Sequence, residues 1–80
     1  MTPDVVRVKP FPDFCLEAEF ATGERRWFDM KPYLGYPAFA PLAENGLFMK
    51  ARIAHGVVAW NQDIDLSPDT LYIRGKLPNG

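Results

Sequence analysis

An α+β fold is predicted for this chain: a small, mainly antiparallel five-stranded sheet with short connecting helical turns and one short C-terminal helix. Three features carry that prediction. Phe14 to Phe20 alternates apolar and polar residues as a half-buried strand does. Two tripeptides ending in glycine, Ala21-Thr22-Gly23 and Ala54-His55-Gly56, stand where hairpin loops belong, and Gly56 to Tyr72 runs from strand through turn to a capped helix. At 80 residues the chain makes one domain, expected over 1–73, with a flexible tail over 74–80.

Val5 to Lys9 is the first expected strand and Phe14 to Phe20 the second, with Phe14, Leu16, Ala18 and Phe20 toward the core and Cys15, Glu17 and Glu19 on the other face. Gly23 can take the left-handed conformation that a tight loop needs, so the chain returns into a third strand, Glu24 to Met30. Pairing Phe20 with Glu24 sets Leu16 opposite Phe28, Phe14 opposite Met30, Glu17 opposite Trp27 and Glu19 opposite Arg25. A turn at Phe11-Pro12-Asp13 would set Val8 opposite Leu16 and Arg7 opposite Glu17. Arg7, Lys9, Glu17, Glu19 and Arg25 then share one solvated face on which opposite charges are neighbours.

Lys31-Pro32-Tyr33-Leu34 can form one helical turn, because proline at the first helical position sacrifices no hydrogen bond, and a second turn is expected between Ala40 and Glu44. Asn45-Gly46 ends that segment, and Leu47 to Ala54 reads as the fourth strand with Met49, Ala51 and Ile53 inward and Lys50 and Arg52 outward. A three-residue loop at Ala54-His55-Gly56 leads into the fifth, Val57 to Trp60. Ser67 is an N-cap, Pro68 follows it, and Asp69 favours the positive end of the helix; Leu71 and Tyr72 are expected to fold back onto the sheet.

Ten acidic against nine basic residues leave a net charge of −1, which supplies no general attraction for a phosphate backbone. A single cysteine, Cys15, excludes an internal disulfide and fits a reducing compartment. Without a secretory signal or an apolar run of the ~20 residues a spanning helix needs, the expected location is cytoplasmic, away from membranes.

No convergent catalytic set is legible, so no catalytic residue, metal ligand or cofactor is assigned. Asp63 and Asp65 form the one acidic cluster suggestive of a metal, but they lack the regular ligand spacing, the turn glycine and the closing glutamate of a calcium loop. The plainer expectation is that Asp65 holds the turn before the helix by accepting backbone N–H groups. His55 stands in a hairpin tip without a partner, and Cys15, on the outer face opposite Lys9 and Asp29, feels opposing charges and gains no activation. Trp27 is an indole among charges on the polar face, the kind of residue that anchors an interface.

Trp60, Asp65-Leu66, Ser67-Pro68-Asp69 and Leu71-Tyr72, together with Phe28-Asp29-Met30, Phe39-Ala40-Pro41-Leu42 and Phe48, resemble the signature of the bacterial domain of unknown function 2442 family, over Val5 to Tyr72. The chain departs from that pattern at Asp63, where glycine is usual, and at Asn61, where proline is common. The resemblance implies no catalytic residues. It implies a component of a two-gene, toxin–antitoxin-like or regulatory module, since genes of the family often neighbour another short gene and some members carry a DNA-binding helix-turn-helix.

The function expected from these observations is a small non-enzymatic protein-interaction domain, with Trp27, Tyr33, Tyr36 and Phe39 as contact residues. Its partner is expected to be another protein, such as the product of a neighbouring gene, or a second copy meeting it through Val5 to Lys9 or Tyr33 to Phe39. Two alternatives are a metal-dependent enzyme using Asp63, Asp65 and His55, and a weak nucleic-acid binder using Arg25, Arg26 and Trp27.

Overall fold

A computed structural model describes residues 2–76. The first three strands are β1 (Val5–Pro10), β2 (Cys15–Phe20) and β3 (Arg25–Asp29), which form an antiparallel sheet in the order β1-β2-β3. The β2–β3 register is the expected one: Leu16 faces Phe28, Glu17 faces Trp27 and Glu19 faces Arg25. Leu16, Ala18 and Phe20 are fully buried, as their alternation requires.

The β1–β2 register is two residues away from the expected one, with Val8 opposite Ala18, Arg7 opposite Glu19 and Lys9 opposite Glu17. The loop is displaced along the chain: Phe14 takes a left-handed φ of 66°, and the Phe11 N–H donates to the Cys15 carbonyl at 2.9 Å. A two-residue slip keeps every side chain on its face, so Arg7, Lys9, Glu17, Glu19 and Arg25 still share one surface.

The expected single sheet of five strands is replaced by two three-stranded antiparallel sheets. The second contains β4 (Arg52–Ala54), β5 (Val57–Ala59) and β6 (Asp65–Leu66), in the order β4-β5-β6. Val58 pairs with Leu66 and Ala59 with Asp65, so the far edge of β5 is taken by a strand of two residues that lies between a turn and a helix cap. A β-bulge between Val5 and Arg7 turns the start of β1, and the Val5 N–H donates to the Gly56 carbonyl at 3.1 Å. One hydrogen bond there links the sheets where a single sheet was expected; Val5 is buried at this junction, while Val6 beside it is exposed and β1 is the outer strand of its sheet.

Leu47–Lys50 is a 3₁₀ turn and not the beginning of a strand; it follows Gly46, whose φ is 69°. Phe48 thereby enters the core while Met49 is 47% exposed, the reverse of the alternation expected for Met49. The reason is tertiary. The Phe48 ring stacks on Trp60 at 5.9 Å, and the Phe48 carbonyl accepts the buried Trp60 indole N–H at 2.9 Å. Two further 3₁₀ turns, Lys31–Tyr33 and Ala40–Ala43, stand where helical turns were expected. The His55-Gly56 loop has two residues and not three, both at positive φ as a type I′ turn requires.

The helix α1 (Pro68–Arg74) is capped as its sequence indicates, with Ser67 Oγ accepting from the Thr70 N–H at 3.2 Å. Leu71 is buried in the core, and the Tyr72 ring packs edge-on against Phe20 at 5.3 Å. Arg74 closes this helix, and Lys76 exchanges two 2.7 Å backbone hydrogen bonds with Trp27, laying the chain along the outer edge of β3. The rest of the segment expected as a tail, 77–80, lies outside the described residues.

The turn after Trp60 is held by Asn61, whose Oδ1 accepts from the N–H groups of Asp63 (2.8 Å) and Ile64 (2.9 Å). This is the work expected of Asp65, which instead sits exposed in β6. A proline at Asn61 could not accept these bonds from a side chain, so the departure from the family pattern has a local structural meaning. Asn61→Ala is expected to cost about 1 kcal/mol, the typical worth of such a cap. Asp65→Ala should change stability by less than half of that, and urea unfolding of the two variants checks the order.

Candidate interaction surface

The helical turns after β3 build a surface from the chain outward. Asp29 Oδ1 accepts the Lys31 N–H at 2.9 Å and starts the first turn, and a relay of backbone bonds follows from Tyr33 to Met30, Tyr36 to Tyr33 and Phe39 to Tyr36. This relay presents Tyr33, Tyr36 and Phe39 together. Tyr33 is the hub: it stacks on the buried Phe28 ring at 5.3 Å and meets Tyr36 and Phe39 edge-on at 5.9 and 6.5 Å. Tyr33 and Phe39 pack against the core, whereas Tyr36 is 57% exposed.

Two clefts flank Tyr33. One, of about 360 Å³, is bounded by Trp27, Cys15, Asp29, Pro32, Tyr33, Arg74 and Lys76 among others. The other, of about 470 Å³, lies between Tyr33, Tyr36, Phe39, Leu66, Thr70 and Arg74. Pro32, Tyr33 and Arg74 line both. All four aromatic residues expected to make contacts, Trp27, Tyr33, Tyr36 and Phe39, therefore line one of these two adjoining clefts.

Trp27 is less open than its polar neighbours suggest, because the Phe11 ring covers it at 4.9 Å. Cys15, expected outside, is buried. Burial raises its thiol pKa, and the Asp13 and Asp29 carboxylates raise it further against a smaller opposing effect of Lys31, so the thiolate is disfavoured. Arg74 and Lys76 are surface contributors that the sequence reading placed in a tail. Extending the helix to Arg74 would have revealed the first of them, since Thr70 and Arg74 are four apart on one helical face.

The other candidate residues are not gathered. His55 is exposed at a hairpin tip, Asp63 and Asp65 are exposed around the Asn61 turn, and among the described residues no three His, Cys, Asp or Glu are placed to hold a metal ion. The metal-enzyme alternative loses its ligand set. The basic segment is dispersed as well. Arg25 reaches Glu19 at 4.0 Å, while Arg26 pairs with Glu24 at 3.1 Å and lays its guanidinium over the Tyr72 ring at 4.5 Å.

Glu24 is the centre of that second group. Both carboxylate oxygens accept from the Tyr72 hydroxyl, at 3.0 and 3.1 Å, and Thr22 and Arg26 donate as well, which ties α1 to the β2–β3 hairpin. The Tyr72 hydrogen bond, then those from Thr22 and Arg26, hold the Glu24 carboxyl below its ordinary value of 4.5. A carboxylate whose pKa falls on folding stabilises the fold above the unfolded value and loses that contribution as pH falls through the folded one. Glu24→Gln is therefore expected to melt below the wild type at pH 7, with the difference shrinking as pH drops below 4.5. Melting curves between pH 7 and 3 test it; a difference independent of pH would assign the loss to packing.

The fold and this surface define a small α+β domain with a half-buried aromatic face. The chain belongs to the family described as "Protein of unknown function (DUF2442)", whose model matches residues 5–76. Searches of curated proteins and of solved structures give no match. Among the described residues no helix is long and apolar enough to cross a membrane.

Proposed function

We propose that this domain is a non-enzymatic protein-interaction module whose docking face is the Trp27, Tyr33, Tyr36 and Phe39 surface, and that it works as one component of a two-gene, toxin–antitoxin-like or regulatory pair. One observation carries the reading: aromatic side chains from β3 and from the segment after it line two adjoining clefts, with Tyr36 left 57% exposed. Aromatic rings give large contact area at small cost in side-chain entropy, which is why they anchor interfaces. The pairing of Arg25 with Glu19 and of Arg26 with Glu24 favours a protein over a nucleic acid as partner.

Affinity capture from cells of the source organism, read by mass spectrometry for wild type and for Tyr36→Ser, tests the proposal. The expected result is one protein captured by the wild type and lost with Tyr36→Ser, whose melting temperature is unchanged. Titration of that purified protein should then show at least tenfold weaker binding by the variant. Equal binding by both would remove this face from the function.

A further inference from the structure

The chemistry of the two clefts narrows the kind of partner. Three charged side chains line them: Asp29, Arg74 and Lys76. Asp29 is offset by Lys31, whose Nζ lies 3.7 Å from its carboxylate. Arg74 and Lys76 have no ion-pair partner among the described residues, and Arg74 lines both clefts. The surface therefore combines exposed aromatic area with two unopposed cations on a molecule whose overall charge is −1. That local excess comes from separation of charge: Glu19 and Glu24 of the neighbouring hairpin are engaged by Arg7, Arg25 and Arg26, and Glu17 lies with Arg7 and Lys9 on another surface, lining neither cleft.

From this juxtaposition, and resting on the interaction reading above, we propose that the Tyr33 surface binds an acidic peptide segment of a protein partner, with apolar side chains in the clefts on either side of Tyr33 and carboxylates on Arg74 and Lys76. An arginine at the end of α1 is well suited to the role, because its planar fork can hold a carboxylate in two hydrogen bonds while its stem covers apolar surface. A second copy of the chain fits less well. A two-fold contact over so small a face brings Arg74 and Lys76 of both copies together, and the one carboxylate lining the clefts, Asp29, is already paired with Lys31.

The probe is a capped nine-residue peptide alternating glutamate with leucine and phenylalanine, compared with the same peptide carrying lysine for glutamate. Chemical-shift titration of the labelled domain is expected to show saturable changes at the Trp27 indole, Thr70 and Arg74 with the glutamate peptide only. Combining Arg74→Gln with Lys76→Gln should weaken that binding at least tenfold and steepen no other response; unchanged amide shifts elsewhere establish that the variant is folded. No saturable change at millimolar peptide, equal binding of the lysine peptide, or stronger saturation by an oligothymidine would overturn the proposal. So would a dimer by light scattering that Tyr36→Ser dissociates, since a second copy would then occupy the face. The broader interaction reading fails separately: it falls if Tyr36→Ser keeps its captured protein. The acidic-peptide proposal alone falls if Tyr36→Ser loses that protein while the double glutamine variant keeps it.

Discussion

Trp60→Ala is expected to destabilise the domain by about 4 kcal/mol, within the range for truncating a buried large aromatic side chain. Trp60 is only 2% exposed, stacks on Phe48, and supplies the one side-chain donor to the Phe48 carbonyl among the described residues. Alanine leaves a cavity and removes the shorter of two hydrogen bonds to the Phe48 carbonyl, which keeps the Ala51 N–H at 3.4 Å; phenylalanine refills much of the volume but cannot make the indole bond either. The phenylalanine variant should lose about 2 kcal/mol. A domain of this size has a total stability of about 4–12 kcal/mol, so the alanine variant approaches the unfolding threshold. Guanidinium unfolding followed by circular dichroism gives both values. Equal losses for the two variants would show that the refilled volume contributes nothing and that the lost indole hydrogen bond accounts for the whole effect.

Gly75→Ala is the second large effect, and it arises from space and not from backbone conformation, since φ at Gly75 is −74°. A Cβ there would collide with the Leu71 carbonyl oxygen and stand 2.8 Å from Arg26 Cβ. Neither contact can be relieved by swinging the end of a flexible side chain, because one atom is backbone and the other is attached directly to it. The chain after α1 must move outward, which pulls Lys76 away from its two hydrogen bonds with Trp27. Overpacking of this kind costs about 1–3 kcal/mol, and the lost backbone pair places Gly75→Ala near the upper end. Hydrogen exchange at the Trp27 amide should accelerate more than at Leu16. If Trp27 stays protected while global stability drops, the strain is absorbed within α1 and the strand edge is held independently.

The interior is organised so that these two sites act on different parts of the molecule. Trp60 joins the second sheet to the 3₁₀ turn at Leu47–Lys50 through Phe48, whereas Gly75 lets α1 and the chain beyond it close against β3. The second site also places Arg74 and Lys76 beside Tyr33, so a shift at Gly75 is expected to weaken the peptide binding proposed above as well as the fold.

What this sequence determined by itself was local. Alternation from Leu16 to Phe20, with a tight loop ending at Gly23, was enough to set the β2–β3 register, because side chains on a strand have a period of two and the loop admits one closure. Ser67, Pro68 and Asp69 likewise marked the start of α1, since capping involves only neighbours within one turn. Tertiary structure decided the rest. Whether the hairpins joined one sheet depended on where Val5 met Gly56 across the molecule, and whether Leu47 to Lys50 extended as a strand depended on Trp60 requiring an acceptor from Phe48. The aromatic candidates were legible one by one from residue type and polarity, but their convergence was not. It required the first 3₁₀ turn to seat Tyr33 on Phe28, and α1 to deliver Arg74 from forty-one positions further along the chain to the same clefts. Contacts of that sequence separation are fixed by packing of the whole core, which no local pattern encodes.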